Sequence, residues 1–468
     1  MMPAPALIRV ALTLFLSFGS LAAEGSPALP LQELPEGTVG VYDTHWSADD
    51  KDAGRPADVE LANGYIYVGG WFDRAVRDGQ TFTVSNLIRI RDDGLYGLDE
   101  TFLPALNGRV WDMVLSGGGD VLYVVGEFTK VGSSKREHMA AFDTGTGELL
   151  GAGSGFTSNN AIRAVAREGE SLYIGGLFTL VDGEARNRAA KLDVVGDRVV
   201  LDPSWNPNVS ERVRDVEVLN VDGPNKVALM MDPAGTVGGR GPYEIAVVDS
   251  SGGGIHHWTG FTGLGMNVIL ADDVARLVYA GTRSKRLDGG NRVMAYRYSD
   301  GAQVWSRAGD GDVQGLGKYR GRLYVGHHGR RVVAELDADG PSDEDCLALV
   351  GCEESVGAWV ADSAGALQPA PWRSQFTKDS QDPNAGLLKV WGFKGDDATG
   401  RLFAWGDFTL VSTFDGSQSM QVKRLAIFSE SPRAAGAGEA EGSLESDRGG
   451  QPVDHPCSGD RATSALLA

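Results

Sequence analysis

One phrase recurs along this chain at a nearly fixed interval. It reads LYVVGEFTKVGSSKREHMAAFD at 122–143, LYIGGLFTLVDGEARNRAAKLD at 172–193 and LFAWGDFT at 402–409. The glycine behind each apolar LY-type strand serves as a ruler. It falls at Gly70, Gly126, Gly176, Gly281, Gly326 and Gly406, and KVALMM at 226–231 fills the one double interval with Met230 at the glycine place. A period of about 50 residues means a propeller or a solenoid, because one such unit cannot bury its own apolar faces.

Each repeat divides into four short segments with strand character. A short apolar strand comes first, as in VWDMV 110–114, IRAVA 162–166 and VRDVEV 213–218, and the LY strand follows. The third ends in an acidic turn, as in MAAFDTGTG 139–147, where Asp or Ser next to Gly is hairpin chemistry. The fourth carries an aromatic: Phe102, Phe156, Trp205, Trp258, Trp305 or Trp372. The sequence therefore predicts an all-β fold, a seven-bladed β-propeller of four-stranded antiparallel blades over 38–430. The last repeat runs out at RLAIFSESP 424–432 without a fourth strand, and VYDTHW 41–46 is similar to LDPSW 201–205. The N-terminal strand 41–46 is thus expected to close the ring and remove its open edges.

The pattern G-x-F-T-x-V-x-G-x-x-R-N-R-x-A-x-L-D at 176–193 resembles the delta-sixty repeat family of bacterial propeller repeats. The resemblance spans about 40–430 and is sharpest at 122–193. It weakens at Met230 and at GTRSKR, where the G-x-F-T core is missing. It implies a propeller and carries no general catalytic residues. In the sixth repeat the third strand that fits the spacing is GAWVADSAGALQPAPW 357–372, which leaves 327–356 as an insertion; RVVAELDADG is the competing third strand.

The start of the chain reads as a signal peptide, 1–23. Arg9 precedes the apolar run VALTLFLSFG and the small residues SLAAEG, with cleavage after Ala22 or Ala23; an uncleaved anchor is the other reading. The mature chain is expected to be exported to the periplasm or extracellular medium and to be monomeric, with no membrane span. Its net charge of −20 speaks against nucleic acid as a partner. The tail, 431–468, is small, polar and charged, and reads as disordered.

Cys346 and Cys352 are close together in CLALVGC, which in an exported protein predicts a local disulfide; zinc is the alternative, without a second ligand pair nearby. Cys457 is left over in the tail. The run DADGPSDED offers Asp337, Asp339 and Asp343 as calcium ligands, set against a plain solvated acidic loop, and no other cofactor is expected.

Propeller ligands sit in the channel mouth or on the rim that the loops between second and third strands share with those joining the fourth strand to the next blade. Without the sixth, the loops between second and third strands hold 14 Lys and Arg against 10 Asp and Glu in an acidic protein. Arg186, Arg188, Arg283, Lys285, Arg286, His327, His328 and Arg330 are the candidate rim, suited to an anionic glycan or an envelope protein. Against this, Arg188, Arg292 and Arg424 can begin third strands and pair with acids of the next blade. The expected function is a binding or interaction module rather than an enzyme. A quinoprotein dehydrogenase, a carbohydrate-active enzyme and a passive part of a surface assembly are the alternatives. AAFDTGTGELL lacks the final Trp and AYRYSDGAQVW the Asp of the quinoprotein docking turn, and no nucleophile triad or H-E-x-x-H occurs.

Overall fold

Strands and turns alone build the chain, as far as the computed structural model describes it. The described residues are 31–32, 35–36, 39–42, 54–221, 225–259, 265–283, 292–308, 312–327, 359–361, 375–377, 390–413 and 417–430. No helix among them is long and apolar enough to cross a membrane.

Antiparallel sheets follow one another along the sequence. Sheet A is Arg55–Ala62, Tyr65–Trp71 and Leu87–Arg91, and sheet B is Val110–Leu115, Val121–Gly126 and Met139–Asp143. Sheets C, D and E have four strands each, beginning at Ile162–Glu168, Val213–Leu219 and Met266–Asp272. Sheet F joins Val313–Tyr319, Arg322–His327 and Trp359–Ala361; sheet G joins Val390–Asp396, Arg401–Gly406 and Leu425–Ser429. The third strand of sheet F is thus the later of the two segments that the sequence offers, with Val325 opposite Trp359.

Every apolar cluster is shared between two successive sheets. Tyr67 and Leu87 of sheet A meet Val110, Leu122 and Phe142 of sheet B. The same arrangement recurs from B to C, C to D, D to E, E to F and F to G. A further cluster sets Phe403, Trp405, Leu425 and Ile427 of sheet G against Val59, Ile66, Val68 and Ile88 of sheet A. Of the fourth-segment aromatics, Phe102, Phe156, Trp205 and Trp305 lie in these seams. Trp205 is fully buried, edge-on to Tyr173 at 5.3 Å, and its Nε1 donates to the Asp249 carbonyl at 2.8 Å. Phe102 packs edge-on against both Tyr67 and Phe142.

Three expectations need correction. First, residues 40–42 do not extend sheet G. They pair with Arg74–Arg77, while Leu31 and Glu36 bridge to Glu430 and Ile427. Val39 and Val41 are fully buried, so the apolar alternation in VGVY fixes that placement and the resemblance to LDPSW does not. Second, sheets A and B have three ladder strands and only a single bridge, Ile90–Leu98 or Phe142–Leu149, at the fourth place. Asp93 accepts from Leu95 and Tyr96, and Asp143 accepts from Gly145 and Thr146, so side-chain hydrogen bonds shape the turn before each of these bridges.

Third, the ruler slips by one residue in three sheets. By strand register the partners of Gly176 are Gly70, Gly126 and Gly406 in sheets A, B and G, but Met231, Thr282 and His327 in D, E and F. The difference is a corner peculiar to sheets A, B, C and G. There the glycine N–H donates to the carbonyl of Asn86, His138, Arg188 or Arg424. That residue's own N–H donates to the carbonyl of Phe72, Phe128, Phe178 or Phe408. The corner residues have φ between 64° and 68°. An added Cβ on Gly126 would lie 2.0 Å from the Arg109 carbonyl oxygen, and on Gly176 2.3 Å from that of Ala161. Glycine is required there by close backbone approach, and the G-x-F motif is its signature.

Candidate functional site

Each first strand carries a β-bulge at the same place. The register breaks between Pro56 and Asp58, Val110 and Asp112, Ile162 and Ala164, Val213 and Asp215, Met266 and Val268, Val313 and Gly315, and Val390 and Gly392. A bulge adds one residue and re-aims it out of the ladder. The added residues are Ala57, Trp111, Arg163, Arg214, Asn267, Gln314 and Trp391, and all of them line one cavity of about 240 Å³. The residues that follow them line it as well, Asp58, Asp112 and Asp215 among them.

Cations and indole rings alternate around this cavity. The Arg163 guanidinium lies 3.8 Å from the ring centre of Trp111, and Arg55 lies 3.7 Å from that of Trp391. Arg109 stacks between Trp71 at 3.8 Å and Trp111 at 4.4 Å. Such stacking fixes the guanidinium planes. Trp111 Nε1 donates to Glu127, which also pairs with Arg163 at 3.3 Å. On the far side, Asp232 is buried to 2% exposure and gathers Arg212 at 2.9 Å, Arg214 at 3.0 Å and Arg283. Burial opposes its ionisation, but Arg214, Arg283 and Arg212 hold its carboxyl below the ordinary range. Arg163 thus pairs with Glu127, and Arg212, Arg214 and Arg283 share Asp232. Burial, reinforced by Arg212, Arg109 and Arg214, pulls the Arg163 guanidinium down to about 10, although Glu127 works the other way. Among the described residues, no acceptor meets Nε of Arg163 or of Arg212.

The carboxylates form the other tier. Asp58 accepts from Val59 at 2.7 Å and from Met113 of sheet B at 3.1 Å. Asp112 accepts from Met113 and from Val165 of sheet C, and Asp215 from Val216 and from Ile269 of sheet E. Each therefore stitches its own first strand to a neighbouring one. Sheets F and G instead approach backbone to backbone: a Cβ on Gly315 would lie 2.2 Å from the Trp391 carbonyl oxygen. Burial, with Glu60 beside it, pushes the Asp58 carboxyl up to about 7. Burial raises Asp215 to about 6, and burial together with Asp58 raises Asp112 well above the ordinary range. Beyond them Lys394 meets Glu60 at 2.6 Å.

Of the sequence candidates, only Arg283 joins this constellation. Arg186 is buried and donates to the carbonyls of Ala185, Asp202 and Pro203 in its own repeat. Arg188 is a corner residue whose guanidinium donates to the Leu177 carbonyl. The backbone of His327 ends the second strand of sheet F. Lys285, Arg286, His328, Arg330, Asp337, Asp339, Asp343, Cys346 and Cys352 lie outside the described residues, as do the signal segment and the tail. Arg55, Arg109, Arg163, Arg212, Arg214 and the tryptophans were not in the sequence-based set. Their signal is an arginine at or just before the first strand, in RPAD, RVWD, IRAV and ERVRD. The sequence matches no family model and no curated protein.

Proposed function

We propose that this chain is an exported, seven-bladed β-propeller that works as a binding module, and that the arginine and tryptophan cavity is where it holds an anionic group of a glycan or envelope partner. Sheets A to G are the blades in this reading, and the first strands surround the channel. Support comes from the apolar clusters, which link each sheet to the next and sheet G to sheet A. It comes also from the single cavity to which every sheet contributes a bulge residue. Residues 31–36 would supply the edge contact that closes the seventh blade.

The observation that carries the binding reading is the stacking of Arg55 on Trp391 and of Arg163 on Trp111 in the wall of one cavity. Stacked guanidiniums are already ordered, so a carboxylate or sulfate loses little side-chain entropy by binding them. The test is a tryptophan-fluorescence titration with anionic and neutral oligosaccharides over a salt series. Saturable quenching by the anionic set alone, weakened by salt and by Arg163→Ala, is expected. Equal response to both sets, or indifference to salt, refutes the reading.

A further inference from the structure

The cavity has two tiers of opposite character, and this restricts the anion it can hold. We infer that the ligand group is a sugar acid, its carboxylate on the guanidinium edges of Arg163 and Arg214 and its hydroxyls donating to Asp58, Asp112 and Asp215. The inference rests on the binding reading above and narrows it to a chemical class.

The argument begins with the carboxylates. A carboxylate offers about four acceptor positions. The backbone N–H bonds recorded for Asp58, Asp112 and Asp215 occupy two on each. Acceptor capacity therefore remains on three side chains that line the cavity. A group that fills the cavity must bring donors, or it leaves these oxygens without the water that they had. A bare sulfate or a phosphodiester brings none and leaves that acceptor capacity unmet. A neutral sugar satisfies the carboxylates but brings no charge to the Arg163 and Arg214 guanidiniums that line the same cavity. A sugar acid answers both tiers with one ring. The cavity of about 240 Å³ suits a group of that size, and Trp111 and Trp391 form part of its wall.

The experiment is isothermal titration of the intact protein with D-galacturonate, D-galactose and sodium sulfate at constant ionic strength. Galacturonate is expected to bind at least tenfold more tightly than either of the others. Sulfate binding as tightly as galacturonate overturns the two-tier inference and leaves the anionic reading standing. Galactose binding as tightly as galacturonate, or no binding by any of the three, overturns both. Asp112→Asn should lose most of the preference for galacturonate over sulfate and keep binding sulfate. An unchanged preference in this variant, with its melt intact, overturns the role given to Asp112. The wild-type comparison decides the ligand class whether or not that variant folds.

Discussion

Replacing Asp99 by Asn should cost about 3–5 kcal/mol, although the change is isosteric and lies away from the cavity. Arg89 directs both Nε, at 2.8 Å, and Nη2, at 2.5 Å, onto Asp99 Oδ2, and the two side chains are 3% and 8% exposed. The guanidinium also covers the rings of Tyr65 at 4.0 Å and Phe102 at 5.0 Å. Its remaining contacts, to Tyr67 Oη and to the Thr144 and Gly145 carbonyls, are long, at 3.4–3.5 Å. Removing the carboxylate charge therefore leaves a buried cation with weak compensation. A second change, Arg89→Met in the Asp99→Asn background, removes that cation and should recover a large part of the loss. Urea unfolding followed by tryptophan fluorescence measures both. The sign with pH is fixed too. Burial works against ionisation of Asp99, but Thr101 and Arg89 hold its carboxyl below the usual range. The stabilisation is therefore complete above the unfolded value, about 3.9, and is lost as pH falls through the lower folded value. A cost below about 1 kcal/mol for Asp99→Asn, or a double variant no better than the single one, refutes the reasoning.

Gly126→Ala should destabilise by about 1–3 kcal/mol or more, because its Cβ meets the Arg109 carbonyl at 2.0 Å. Gly183→Ala, at φ +80° in open space, pays only the backbone strain of about 1 kcal/mol, and paired thermal melts separate the two. Deleting residues 31–42 should lower the melting temperature and promote association, because it uncovers Leu425–Ser429 and removes buried Val39 and Val41; an unchanged melt with a monomeric elution profile refutes that assignment. The raised carboxyls of Asp58, at about 7, and Asp215, at about 6, act opposite to Asp99. Their share of stability is present at low pH and falls as pH rises from about 4 through those values. Carboxyl-carbon NMR should show both titrating above pH 5, and ordinary titration near pH 4 would contradict it.

The sequence displays the strand plan because each blade-sized unit repeats its turn chemistry and apolar alternation. The apolar runs KVALMM, LVYAG and RLYVG mark the second strands correctly even where the ruler residue is displaced by one. The displacement was illegible because Gly281 and Gly326 look like Gly176 in a linear text. Only register shows that Thr282 and His327 stand in its place. The cavity was legible in part. Counting charge on the loops between second and third strands reached Arg283 and missed Arg55, Arg109, Arg163, Arg212 and Arg214, which sit at the entrances to first strands. Those entrances look like ordinary strand starts, and nothing linear says that a bulge turns Trp111 and Arg163 toward a common space. Arg186 and Arg188 show the converse. Their loop position suggested availability, but folded geometry commits their guanidiniums to nearby carbonyls.

The corner at Asn86, His138, Arg188 and Arg424 makes the loop before it an exchangeable part. Nine residues separate Phe128 from His138 and Phe178 from Arg188, thirteen separate Phe72 from Asn86, and fifteen separate Phe408 from Arg424. The same two hydrogen bonds nevertheless return the chain to its sheet in every case. Loop length is therefore uncoupled from strand placement, because the join is made locally by the phenylalanine carbonyl and the glycine N–H. A segment between these two points can be lengthened in sheets A, B, C and G while the third strand keeps its register, provided that its buried residue, such as Ala75, Val131, Val181 or Val411, is kept. The scaffold thus comes with four sockets for grafted sequence.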